Sequence, residues 1–294
     1  MNGIILIDKS VAFTSHDVVA KLRRILSERR IGHTGTLDPF ATGVLVLLVG
    51  RATRLAQFLS GAEKEYQATV RIGYATDTGD LTGMPLGPAR SISFTDEQIE
   101  EALRPLRGES WQVPPMYSAK KVKGRKLYEL ARRGEEIERA SARVNIHTLE
   151  AVADKSGQLL RPDAHQEVCD LRISVVCSAG TYLRVLAEEI GRNLGTGAHL
   201  TALRRTRAGA FRIEHAHSIE ELQNYLNAGR PLEEIIIRPS VALSGMRSMH
   251  LTHEEAQKTR HGMALGIEEH PDLINGQYVR MEEAERRVDR DRSI

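Results

Sequence analysis

"GHTGTLDPFATGVLVLLVG", residues 32–50, joins a loop rich in glycine and threonine to the longest apolar run of the chain. The run, "GVLVLLVG" at 43–50, reads as a buried strand because it is short, continuous and bounded by glycines. The loop before it holds one carboxylate, Asp38, followed by Pro39, with His33 nearby. Two readings stay open at this point. An Asp-Pro pair among glycines and threonines is an ordinary turn, and a stiff loop of this kind also holds a catalytic carboxylate still. No Gly-Lys-Ser/Thr closes the loop, so it is not a phosphate cradle of the Walker type.

Outward from this stretch, "GIILIDK" (3–9) reads as a strand. In "TSHDVVAKLRRILSE", Val18, Leu22, Ile25 and Leu26 recur at helical spacing behind an N-cap at Thr14 or Ser15. "RATRLAQFLSG" is a short helix. "KEYQATVRIGY" alternates, with Tyr66, Ala68, Val70, Ile72 and Tyr74 on one face, as a half-buried antiparallel strand does. "TDEQIEEALRPLRG" is a helix capped by Thr95, its Glu97 and Glu100 suiting the positive N-terminal end. The prolines of "WQVPPMYSAKKVKG" forbid regular pairing and indicate an ordered loop, and "KLYELARRGE" is a helix.

"VCDLRISVVCS" alternates again, with Cys169, Leu171, Ile173, Val175 and Cys177 on one face. "GTYLRVLAEEIGRNLG" sets Leu183, Leu186, Ala187, Ile190 and Leu194 at helical spacing and stops at Gly195. Strands and helices alternate without a regular βαβ rhythm. The expected fold class is therefore α+β, with a largely antiparallel mixed sheet flanked by helices and loops. The proline-bracketed "RPLEEIIIRPSVAL" (230–243) sets the expected domain boundary, with a main domain over 1–240 and a small C-terminal region over 241–294. The terminal "MEEAERRVDRDRSI", of mixed charge, is expected to be frayed or disordered.

Composition narrows the class. The chain has 294 residues, 41 % of them hydrophobic, and no apolar run reaches the roughly 18 residues of a membrane span. The opening lacks the basic region and the cleavage site of a secretory signal. Cys169 and Cys177 form neither a metal spacing nor a disulfide framework, so the reducing cytoplasm is the expected compartment. Net charge is only +2, yet basic residues cluster. Residues 119–133 hold seven Lys/Arg against one Glu, 21–30 hold five against one, and 203–212 hold four against none. Solvated helix faces explain a single cluster; three together fit a surface for a polyanion.

Five segments in order, "GHTGTLDPFATGVLVLLVG" (32–50), "KEYQATVRIGYATDTGDLTG" (64–83), "VPPMYSAKKVKGRKLYELAR" (113–132), "CSAGTYLRVLAEEIG" (177–191) and "HLTALRR" (199–205), resemble the motifs of the bacterial tRNA pseudouridine synthase B (TruB) family. The resemblance spans roughly residues 2–240. It implies the pseudouridine synthase fold and an isomerase that turns the uridine at position 55 of the tRNA T-arm into pseudouridine. The N1–C1′ bond breaks, the uracil turns, and C5 bonds to C1′, with no metal and no cofactor. By the family's pattern Asp38 is the nucleophile, acting on the ribose or the base or promoting a glycal. Arg184 is the basic residue paired with that carboxylate, and Tyr66 stacks on the target base and takes part in proton removal.

His33 is implied to insert into the T-loop vacated by the flipped base, and Leu203 to line the uracil pocket. Lys9 and Tyr182 match further substrate-binding positions. The basic clusters become phosphate contacts, and the enzyme is expected to act as a monomer. Two rivals remain from the residues themselves: a tRNA-folding protein that needs no chemistry, and another base-modifying enzyme with a lone carboxylate. The chain departs from the family's opening pattern, Asp-Lys-Pro-x-Gly-x-Thr-Ser, by Ser10 for proline and Ala12 for glycine. The C-terminal region resembles only the beginning of a PUA domain, in "MHLTHEEAQKTRHGMALG", with one further strand expected in "LINGQYVRM".

Overall fold

The apolar run becomes a strand buried on both faces, and the sheet is assembled outward from it. A computed structural model of the chain describes residues 1–89, 93–118, 120–122, 124–131, 133–162, 168–246, 248–263 and 280–283. In chain order the first elements are β1 (Gly3–Lys9), α1 (Ser15–Ile25), β2 (Ile31–His33), β3 (Thr42–Val49), α2 (Ala56–Leu59), β4 (Lys64–Ile72), α3 (Asp96–Leu103) and β5 (Gly108–Gln112). There follow β6 (Lys121–Val122), β7 (Arg125–Lys126), α4 (Leu127–Ala131), β8 (Ala142–Ala151), β9 (Leu160–Pro162), β10 (Cys169–Cys177), α5 (Leu183–Asn193) and β11 (Ala198–Ala208). The last are β12 (Phe211–Arg212), α6 (Ile219–Asn227), α7 (Pro239–Ala242), β13 (Ser248–Leu251), α8 (His253–Arg260) and β14 (Arg280–Glu283).

β1 and β3 pair antiparallel over their whole length, from Gly3↔Val49 to Lys9↔Gly43, so two apolar runs cover each other. The main sheet then runs β1-β3-β11-β4-β10-β8-β5, with β2, β9 and β12 on its margins. Among the described residues its pairs are antiparallel except β3–β11, which meet in parallel at Arg204↔Thr42 and Arg205↔Gly43. The α+β class and the largely antiparallel sheet are as the residues imply. On β4 the alternation is realised: Lys64, Tyr66, Ala68, Val70 and Ile72 are buried. The helices begin as their sequences require. Thr14, Thr95, Ser218 and Thr252 each close a capping box, with Asp17, Gln98, Glu221 and Glu255 respectively. One face of α1 (Val18, Leu22) and one of α5 (Leu186, Ala187, Ile190) are withdrawn from solvent. Each such valine, leucine or isoleucine contributes about 1.5–3 kcal/mol.

Two expectations are corrected and two strands are added. Part of the proline-rich "loop" is regular: Trp111 and Gln112 end β5, and β6 and β7 form a hairpin. The strands β8 and β11 go unnoticed by a search for apolar alternation. In β11 the buried side of the strand carries Leu203 and Arg205, and the arginine breaks the apolar pattern. At the C-terminus, Arg280–Glu283 pair in parallel with Ser248–Leu251, so Met281, Glu282 and Glu283 lie in a strand and are not frayed. Residues 284–294 and most of "LINGQYVRM" lie outside the described residues.

The chain divides into two compact units, Met1–Ile236 and Ile237–Ile294. The first holds the main sheet; the second holds α7, α8 and the β13–β14 pair. Among the described residues no helix is long and apolar enough to cross a membrane.

Candidate active site

In the loop between β2 and β3 every third residue, Thr34, Leu37 and Phe40, is buried. Leu37 and Phe40 sink into the core, at 3 % and 8 % exposure, and this turns Asp38 the other way, into a cavity of about 250 Å³. The backbone around it is tied down at several points. Leu37 N–H donates to the Ser15 hydroxyl at 2.9 Å, and that buried hydroxyl donates back to the Leu37 carbonyl at 3.3 Å. The Pro39 carbonyl accepts from Ala12 N–H at 2.9 Å and from Lys9 Nζ at 3.3 Å. Ala41 N–H closes a turn on the Asp38 carbonyl at 3.1 Å.

Arg184, in the first turn of α5, is the partner of Asp38. Its Nε lies 3.0 Å from Asp38 Oδ2, and its Nη2 lies 3.4 Å from Oδ1. The guanidinium is fully engaged: Nη1 donates to the Thr78 carbonyl at 3.1 Å, and Nη2 to the Tyr117 carbonyl at 2.6 Å. Asp80 Oδ2 stands 3.8 Å from Nη1, so the arginine lies between two carboxylates. Asp80 is itself held by Thr78 and Thr82, whose hydroxyls donate to Oδ1 at 2.9 and 2.5 Å. The Arg184 side chain is 4 % exposed against 32 % for Asp38. The buried fork is therefore the fixed member, and the carboxylate faces the cavity. Enclosure pushes the Asp38 carboxyl above the ordinary carboxylate range; the Arg184 charge pulls it down, and the Asp80 charge pushes it up.

The remaining walls come from two strands and the approach to α5. Tyr66 (β4), Leu203 and Arg205 (β11), Tyr182 ahead of α5, Lys64 (β4) and Lys120 all line the same space. Burial raises the phenol pKa of Tyr66 and of Tyr182. Lys64 donates to the Ser60 carbonyl at 2.6 Å and to the Ala62 carbonyl. Burial, then the charge of Arg205, lowers its pKa to about 8. The cavity thus holds one carboxylate among several cations, with two phenols and a leucine as its flat and apolar surfaces.

Of the seven residues singled out by sequence, the fold brings Asp38, Tyr66, Tyr182, Arg184 and Leu203 around one cavity. It does not bring Lys9 or His33 to that wall. Lys9 is wholly buried, donating to the carbonyls of Ser10 (3.0 Å), Phe13 (2.6 Å) and Pro39 (3.3 Å). It braces the backbone behind Asp38, and burial lowers its pKa to about 8. The ammonium is held by three carbonyl partners, away from the residues that line the cavity. His33 ends β2 with its ring edge-on to His16, centroids 5.7 Å apart. Burial first, then His16 and Arg205, hold its pKa down at about 4, so the imidazole is neutral.

Sequence reasoning passed over Asp80, Lys64 and Arg205. Asp80 had a signal in the Asp/Thr/Gly cluster "TDTGDLTG". Arg205 had none, since it is one of four arginines within 203–212 and only the sheet register tells it from its neighbours.

Comparison with known proteins bears on most of the chain. The sequence pattern of the TruB family pseudouridylate synthase N-terminal domain matches residues 23–183, and that of the tRNA pseudouridylate synthase B C-terminal domain matches 184–242. The tRNA pseudouridine synthase B of Mycobacterium sp. (strain KMS) is 42 % identical over 277 residues, covering 94 % of this chain and 87 % of the relative. That of Bacillus anthracis is 43 % identical over 267 residues, covering 90 % and 84 %. The crystal structure of a Cbf5-Nop10-Gar1 complex contains a chain that superposes with a TM-score of 0.71 at 25 % identity, covering 96 % of this chain and 74 % of that one.

Proposed function

The chain belongs to the TruB pseudouridylate synthase family, and on that basis we infer that it is a tRNA pseudouridine synthase, an isomerase that converts uridine in tRNA to pseudouridine. Its target is the uridine at position 55 of the T-arm. It acts in the cytoplasm as a monomer, with Asp38 as the nucleophile. The observation that carries the assignment of Asp38 is its geometry: a carboxylate facing a cavity, gripped from behind by a buried arginine fork at 3.0 Å.

The chemistry follows from that arrangement. The cavity, at about 250 Å³, falls just below the roughly 300–1,000 Å³ of typical ligand pockets. It suits one base and its sugar, so the target nucleotide leaves its stack to enter, at a cost of a few kcal/mol. Tyr66 and Leu203 receive the uracil, and Tyr182 closes the side next to Arg184. His33, neutral and beside His16, lies on the segment leading into the Asp38 loop and fills the vacated place in the T-loop. With the base seated, the Asp38 carboxylate is oriented by Arg184 before the reaction begins, so little reorganisation is needed as the N1–C1′ bond breaks. Lys9 acts through the loop alone. The exposed cations of the three basic segments receive the phosphates of the arm, and RNA is read by shape and by its flipped base.

The test is Asp38→Asn on an unmodified tRNA transcript, with modified uridines mapped along the whole molecule. Pseudouridine formation is expected to vanish while tRNA binding persists. Turnover by a clean Asp38→Asn preparation removes the nucleophile, and modification elsewhere than position 55 removes the T-arm assignment.

A further inference from the structure

Among the described residues, Arg205 is a buried cation with no acid paired to it. Its side chain is among the largest fully enclosed in the molecule, and among the described residues it makes no ion pair with a carboxylate. Its fixed bonds go to backbone: Nε donates to the Val44 carbonyl at 2.8 Å and Nη2 to the Gly35 carbonyl at 3.1 Å. A buried charge of this kind is far more costly to the fold than an apolar side chain of the same length. Burial first lowers the pKa of Lys9, His33 and Lys64, and the Arg205 charge lowers all three further.

What the charge faces is Tyr66. Arg205 on β11 lies opposite Tyr66 on β4 in the strand register, and both side chains line the cavity that holds Asp38. The two carbonyl bonds fix the guanidinium to β3 and to the Asp38 loop, leaving further N–H donors of the fork for the phenol. We propose that Arg205 is a positioning residue for Tyr66: it holds the phenol oxygen in place and supplies the positive charge against which that oxygen takes a proton from the substrate. Burial raises the phenol's pKa, and a hydrogen bond and the charge of Arg205 oppose that rise.

The inference deepens the isomerase reading and rests on it. Every route open to Asp38 ends in the same step, in which C5 of the uracil carries both its hydrogen and the new bond to C1′. The Tyr66 phenolate takes that hydrogen as a proton. The C5–H electron pair becomes the C5–C6 double bond, and the C6–N1 double-bond pair moves onto N1, which takes a proton from water. The phenol then returns its proton to solvent, so protons and electrons balance without a co-reactant. The guanidinium never touches the base.

The experiment is a double-mutant cycle between Arg205→Met and Tyr66→Phe, measured as single-turnover rates on tRNA with protium or deuterium at C5 of the target uridine. With Tyr66 in place, Arg205→Met is expected to slow the reaction about 100-fold, a loss typical of proton transfer, with tRNA affinity nearly unchanged. The deuterium isotope effect rises, and the limb of the pH–rate profile that tracks phenol ionisation moves to higher pH. In the Tyr66→Phe background the same substitution costs little more. Arg205→Lys, which keeps the charge and loses the fork, is run through the same cycle. It gives an intermediate rate with a near-normal pH profile, and it decides the matter if the methionine variant does not fold. Equal losses with Tyr66 present and in the Tyr66→Phe background, or a slower rate with unchanged isotope effect and pH profile, overturn the inference. That failure is distinct from the failure of the isomerase reading, which is read from Asp38→Asn alone.

Discussion

Asp38 and Arg184 show how one pair of side chains ties stability to chemistry. Enclosure raises the Asp38 pKa, so the ionised form is the less comfortable one in the folded protein. The sign follows. Below its unfolded pKa the group is protonated in both states and costs the fold nothing; as pH rises through the raised folded pKa, the cost of the buried charge is fully present. Asp38→Asn is therefore expected to leave the melting temperature at neutral pH unchanged or higher, which a thermal melt checks; a clear fall would mark Asp38 as a structural turn residue. Under the proposed mechanism activity runs the other way, because Asp38 acts as the ionised carboxylate. The acid limb of the wild-type rate profile should lie above the ordinary carboxylate pKa of about 3.9. Arg184→Met removes the largest influence holding that pKa down. It moves the limb to higher pH, slows turnover by about 10²–10³-fold, and leaves two carboxylates unpaired, at about 3–5 kcal/mol of stability.

Among the elements, the contact of β3 with β11 matters most to the site, for it sets Arg205 beside the Asp38 loop. The two strands touch in parallel at two positions only, and the approach is closest at Gly43. There φ is +105°, and an added Cβ would meet the Arg205 carbonyl oxygen at 2.2 Å and its nitrogen at 2.6 Å. Gly35, on the same loop and beside the same arginine, has room: a Cβ would lie 3.5 Å from Arg205 Nη1, an ordinary contact. Gly43→Ala is expected to cost about 3 kcal/mol or more in denaturant unfolding, with Gly35→Ala close to wild type. Similar losses for both would show that the β3–β11 contact yields without penalty. The same junction explains why β11 is hard to read. Strand signals rest on apolar alternation, and here the position facing inward is an arginine satisfied by Val44 and Gly35 carbonyls that lie 161 and 170 residues away in the chain.

At the scale of the molecule, every residue assigned to the cavity and every member of the central hydrophobic core falls within Met1–Ile236. A chain ending at Ile236 is accordingly expected to unfold in one cooperative transition and to keep a near-normal single-turnover rate at saturating tRNA. Weakened tRNA affinity is the expected consequence of losing 237–294. Loss of the chemical step itself, with the fold intact, would show that the second unit contributes to catalysis.

The sequence by itself determined the periodic parts of this protein. Helices α1, α3 and α5, strands β1, β3, β4 and β10, and the α+β class follow from apolar spacing and capping residues, because those signals are local and repeat within each element. It also placed Asp38 in a stiff loop, but composition alone left that aspartate indistinguishable from a turn; only the ordered motifs of the TruB family separated the two. The tertiary structure decided the rest. It brought Arg184 onto the carboxylate, set Asp80 behind that arginine, withdrew Lys9 from the cavity and put Arg205 opposite Tyr66. Those outcomes depend on strand register and on pairings between residues far apart in the chain, where a charged side chain's role is set by which carbonyl or carboxylate the fold brings within about 3 Å.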